Sequence, residues 1–125
     1  MGDRWQVQYE FWSGFGIPAY EENSVPDQKE LEYPYITYEA AGSGFNDPVS
    51  ITASIWDRNS SWETADRLAD LIEHHIRTEN LIKYDKGRCW ISIGDTVFAQ
   101  NMGDPDDNYI KRKILNVTFE FEQEI

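Results

Sequence analysis

The sequence offers one cysteine, Cys89, and two histidines, His74 and His75, in 125 residues. A lone cysteine closes no internal disulfide, and no Cys/His spacing matches a zinc site, so neither an oxidising compartment nor a metal-built fold is indicated. Basic residues are also scarce. Eleven Lys+Arg stand against 23 Asp+Glu, for a formal charge of -12, which argues against nucleic-acid binding by phosphate neutralisation. Long apolar runs are missing: Trp5, Tyr9 and Trp12 are interrupted by Asp3, Arg4, Gln6, Gln8 and Glu10, which suits neither a signal peptide nor a membrane span. Gln6 stands where a myristoylation signal asks for Ser or Thr. These absences lead us to expect a product made in the cytoplasm with no membrane partner.

Aromatic residues, by contrast, are plentiful. Five Trp, seven Tyr and six Phe in a chain that is 40% hydrophobic supply one core, since roughly two-thirds of the unfolded surface is buried at this size. No linker, low-complexity tract or repeat divides the chain, so we expect a single domain over residues 1–125. Asp3 is a candidate N-cap for a helix to about Gly14, with Trp5, Tyr9 and Trp12 on its inner face beside Phe11 and Phe15. Gly14, Gly16 and Pro18 then stop it. The acidic stretch 21–32, which holds Pro26, reads as a surface loop.

Residues 33–39 are aromatic and β-branched and contain Pro34, which restricts them to an edge or a strand start. Val49, Ile51, Ala53 and Ile55 alternate with Ser50, Thr52 and Ser54, the period-2 pattern of a half-buried strand. A hairpin with a long loop over 40–48 joins these two segments. Ser60-Ser61-Trp62-Glu63 matches a capping box, and Trp62, Ala65, Ala69, Ile72 and Ile76 follow at helical spacing, with Leu68 and Leu71 widening the stripe. Segments 88–93 and 96–100 flank Gly94-Asp95 and read as a hairpin with a tight turn. A last strand over 114–122 buries Leu115, Val117, Phe119 and Phe121. Helix, strands, helix, strands is the order of an α+β domain, a mostly antiparallel sheet packed by two or three helices.

Reactive constellations are absent from the sequence. His74 and His75 are adjacent and point about 100° apart on a helix, so they form no i, i+4 metal pair. Cys89 sits in an apolar-leaning strand and reads as a small buried hydrophobe. Asp104, Asp106 and Asp107 lack the Gly and Glu that complete a calcium loop, and they flank Pro105 in a solvated turn. Neither Gly42-Ser43-Gly44 nor Gly14-Phe15-Gly16 has phosphate-loop context. Tyr33, Tyr35 and Tyr38 have no basic neighbours for base stacking, and read as sheet packing or a protein contact surface. No catalytic residue, metal or cofactor follows. The expected contact residues are instead Ser43, Phe45 and Asp47 in the long loop, Asp104, Asp106 and Asp107 in the acidic turn, and the basic set Lys111, Arg112 and Lys113 before the last strand. That basic set, beside 104–107 and facing Glu120 and Glu122, gives a surface of two signs suited to head-to-tail pairing of copies.

The order and spacing of Tyr33-Pro34-Tyr35-Ile36-Thr37-Tyr38-Glu39, Ser54-Ile55-Trp56-Asp57-Arg58-Asn59-Ser60-Ser61-Trp62-Glu63, Phe98-Ala99-Gln100 with Met102, Asp104-Pro105-Asp106-Asp107 and Ile110-Lys111-Arg112 resembles the minor capsid and tail-terminator-like proteins of tailed bacteriophages and prophages. The likeness runs from Phe15 to Phe121. It implies a tail-terminator fold and no enzymatic activity: a virion protein, made in the bacterial cytoplasm, that caps the tail tube as a ring, commonly a hexamer. Its implied partners are itself, the tail tube protein and the head-completion or connector protein, with DNA only passing through the lumen. A neck or head-tail connector is the alternative within that setting, and a soluble protein-binding module the alternative outside it. The acidic balance is not something the family requires. An acidic lumen would repel passing DNA.

Overall fold

A computed structural model of the chain describes residues 4–40, 48–85, 87–93 and 97–123. Helix α1 (Arg4–Ser13) precedes strand β1 (Ala19–Glu21), a short 3-10 turn (Gln28–Glu30), β2 (Tyr35–Tyr38) and β3 (Val49–Arg58). Helix α2 (Glu63–Thr78), β4 (Leu81–Tyr84), β5 (Gly87–Ser92), β6 (Ala99–Gly103) and β7 (Ile110–Gln123) complete it. The strands form one seven-stranded sheet in the order β1-β2-β3-β7-β5-β4, with β6 also on β7. All pairs are antiparallel except β1 with β2. This is the expected α+β architecture, with both helices on one face.

Period-2 alternation assigns that face. Leu115, Val117, Phe119 and Phe121 of β7 are buried, as are Ile51, Ala53 and Ile55 of β3 and Cys89 and Ile91 of β5. Onto them α2 sets Ala65, Ala69, Ile72 and Ile76, the predicted stripe, with Trp62 only half-buried and Leu71 exposed. The capping box does not form. Asn59 Oδ1 accepts the Ser61 amide at 3.2 Å, a local turn that competes with helix entry, and the helix starts at Glu63 behind Trp62, which makes no side-chain cap bond.

The aromatic face of α1 differs from expectation. The helix buries Val7, Gln8, Phe11 and Trp12, while Trp5 and Tyr9 stay 52% and 48% exposed. Two stripes share Trp12. The one that wins brings Phe11 against Phe119 (centroids 5.9 Å) and Trp12 against Tyr38 (6.0 Å), and Gln8 is accommodated by donating to the Arg4 carbonyl at 3.0 Å. Asp3, the expected N-cap, lies outside the described residues. Gly16, at φ 85°, turns the chain from α1 into β1 through backbone space that L side chains rarely adopt.

The β2–β3 hairpin is as expected, with Pro34 just before the strand. Segments 88–93 and 96–100 do not form a hairpin with each other. Both β5 and β6 run antiparallel to β7, one after the other: Ser92 lies opposite Thr118 and Ala99 opposite Leu115. At 14 residues, β7 is long enough to carry two short strands end to end; the expected turn at Gly94-Asp95 lies outside the described residues. Just ahead of β6, Val97 and Phe98 are held to β7, their carbonyls accepting from Asn116 Nδ2 and the Asn116 amide, each at 2.8 Å.

Candidate assembly surface

The expected contact residues fall in three places. Ser43, Phe45 and Asp47 lie outside the described residues. Asp104, Asp106 and Asp107 occupy the turn between β6 and β7, where the carboxylates of Asp104 and Asp107 take local bonds. Asp104 accepts the Asp106 amide at 2.8 Å, and Asp107 accepts the Tyr109 amide at 2.9 Å and pairs with Arg58 at 2.6 Å. The Tyr109 bond and then Arg58 hold the Asp107 carboxyl below its ordinary range.

Lys111, Arg112 and Lys113 are not ahead of the last strand but inside it, because β7 begins at Ile110. The fourfold overlap of β3, β7, β6 and β2 at this level draws the charged residues into the ladder, and alternation then splits them. Lys113 turns to the helix side and pairs with Asp66 of α2, and Lys111 reaches the Trp62 ring (5.8 Å) and the Asn108 carbonyl. Arg112 takes the opposite face. Nor does the basic set face Glu120 and Glu122. They sit at the far end of β7, where Arg88 Nε and Trp90 Nε1 donate to Glu122 at 2.7 and 2.6 Å and lower its carboxyl pKa, the Arg88 bond first.

Among the described residues, no helix covers the face that Arg112 joins. There the register aligns Tyr35, Trp56, Arg112 and Met102 as one row across β2, β3, β7 and β6. The Arg112 guanidinium lies 4.7 Å over the Trp56 ring, its Nε donates to Ser54 Oγ at 3.0 Å, and its Nη1 stands 3.8 Å from Met102 Sδ. Trp56 stacks on Tyr35 at 6.2 Å and donates to Thr37 Oγ1 at 2.9 Å. Tyr20 and Tyr33 extend the cluster against Tyr35. Burial, with Tyr33 beside it, pushes the Tyr35 hydroxyl up to about 12. A cation stacked on desolvated aromatics, with an exposed Met alongside, has the composition of a protein-contact centre. Sequence reading left the row unseen because its members are scattered from 35 to 112; only strand register unites them. Of the three tyrosines read together, Tyr38 faces the helices instead.

Groups with chemical potential are dispersed. Cys89 is fully buried, and burial pushes its thiol from near 9 up to about 12, the inert environment expected of it. His75 packs on Phe11 and Phe15 and pairs with Glu79 at 3.4 Å, beside an open groove of about 230 Å³ lined by Glu10, Gly14 and Ile82 as well. Asp57 is buried with no hydrogen-bond partner for Oδ2 among the described residues. Among those residues no His, Cys, Asp or Glu group is placed to hold a metal ion, and no helix is long and apolar enough to cross a membrane.

Neither a family model nor a curated protein matches the sequence. Among solved structures, the bacteriophage SPP1 gp17 protein superposes with a TM-score of 0.52 at 17% identity, over 94% of this chain and 80% of its own. The chain therefore shares its fold with this phage protein at low sequence identity.

Proposed function

We propose that this protein is a structural component of a phage virion that acts as a tail terminator: copies close into a ring, six as the resemblance implies, on the end of the tail tube. The ring stops tube growth and offers the surface to which the head-completion protein docks. The observation that carries this reading is the shared fold with a phage protein along nearly the whole chain. Its physical complement is the uncovered sheet face, where Trp56, Arg112 and Met102 are set out for contact. The work is done by surface and assembly, and the charge of -12 lets DNA pass through the lumen without adhering.

Electron microscopy of particles from a phage lacking this gene tests the reading. We expect tails of irregular, excessive length that join no heads. Tails of normal length that fail only at head attachment would move the protein to the neck as a connector. Normal virions would refute both roles.

A further inference from the structure

Strands β1, β2, β3, β7 and β6 share one level of the sheet: Tyr20, Thr37, Ser54, Ile114 and Gln100 form a single cross-strand row. This band has two opposite ends, and they differ in charge. At the β1 end, the parallel pairing of β1 with β2 forces a long return connection, and residues 21–32 within it carry Glu21, Glu22, Asp27, Glu30 and Glu32 against Lys29 alone. Among the described residues, none of Glu22, Asp27, Glu30 and Glu32 has a cation within ion-pair distance.

At the other end lies β6. Among the described residues it pairs only with β7, and its sequence Ala-Gln-Asn-Met-Gly has none of the charges or prolines that keep an edge strand from pairing with another chain. The other outer strands do carry them: Lys83 lies within β4, and Pro18 with Glu21 brackets β1. Beside β6 stands Arg112, whose guanidinium meets Trp56, Ser54 and Met102 but no carboxylate among the described residues. The nearby turn does not supply one, since Asp107 is already bound to Arg58.

We propose that the acidic connection 21–32 of one copy seats on the β6 edge and the Arg112–Trp56 patch of the next copy. A chain of charge -12 repels its own copies, so a self-contact has to bring opposite signs together. Here the acidic connection and the Arg112 cation are on opposite ends of one sheet, Arg112 on the open face and away from the aspartates of the β6–β7 turn that bond locally. The contact is heterologous, the kind that closes a ring when the rotation fits. This inference rests on the ring reading above and names the surfaces that make the ring.

Sedimentation of the full chain, with thermal melts to check folding, tests it. Arg112→Glu, and separately the triple change Glu22→Lys, Asp27→Lys and Glu30→Lys, should each weaken self-association at least about tenfold, the loss expected of an interface anchor. Lys83→Glu, the same charge change elsewhere on the open face, should leave it unaltered. Mixing the two defective proteins sets the intact acidic connection against an intact Arg112 and the basic connection against the carboxylate introduced at 112, both of opposite sign, so association should recover, from dimers upward. Association of Arg112→Glu equal to wild type, or no dimer on mixing, overturns the interface. If wild type and Arg112→Glu both form rings, the ring reading survives and only this contact falls. If wild type stays monomeric both in solution and on tube ends, the two fall together.

Discussion

The two faces of one sheet follow different rules. On the helix-covered face, β3 and β7 present Ile51, Ala53, Ile55, Leu115, Val117 and Phe119 without a polar interruption until Asp57 and Lys113. On the open face the same strands present Ser50, Thr52, Ser54, Asn116 and Thr118, with Ile114 as an apolar member, and then Trp56 and Arg112. The first arrangement is what stability requires. The second is a mostly polar sheet surface broken by Ile114 and one stacked aromatic-cation row, which contributes far less to stability than the covered core. On the proposed reading, stability and assembly fall to opposite sides of the same backbone, and substitutions can separate them.

The largest effect should come from the covered face. Phe119 is fully buried and meets Phe11, Trp12 and Phe121. Phe119→Ala should cost about 3–5 kcal/mol in denaturant unfolding; a loss near zero would show that the inner face is misassigned. Arg112→Ala on the open face should cost only about 1–2 kcal/mol, from the Ser54 bond and the Trp56 stack, while abolishing self-association. An equal loss from both substitutions would erase the distinction between the faces.

Cys89 sharpens the comparison through pH. Its thiol is raised in the folded state by burial, against a smaller opposing bond from the Glu120 amide. The folded chain therefore holds the proton more tightly, the full stability is present below about pH 9, and stability falls as pH rises from there toward 12. The slope contributed is at most about 1.4 kcal/mol per pH unit. Comparing unfolding at pH 8 and pH 10, Cys89→Ala should flatten the alkaline decline relative to wild type, and an unchanged decline would count against the buried thiol. The smallest effect belongs to Trp5 and Tyr9, which α1 leaves exposed. Replacing either with Ser should shift stability by no more than about 0.5 kcal/mol; a loss of several kcal/mol would restore the helix face that their spacing suggests.

Where one periodicity dominated, the sequence was readable. The stripe of α2, the alternation in β3 and β7 and the β2–β3 hairpin all follow from spacing alone. Reading failed where two patterns competed: Trp12 belongs to two possible stripes of α1, and the sheet chose between them. It failed again for segments 88–93 and 96–100, which pair with the long β7 and not with each other, and in β1 and β4, too short to show alternation. The assembly surface was legible only in part. The charge of Lys111, Arg112 and Lys113 was visible, but not the alternation that sends Arg112 alone to the open face. Nor was the row it forms with Tyr35, Trp56 and Met102, because register is a property of pairing and not of any one segment.

The most direct test is to complement a phage lacking this gene with the Arg112→Glu chain, shown to be folded by its melt, and to image the particles by negative stain. The account predicts a soluble folded protein that leaves tails unterminated and without heads. Virions of normal tail length with heads attached, built with that chain, would contradict it.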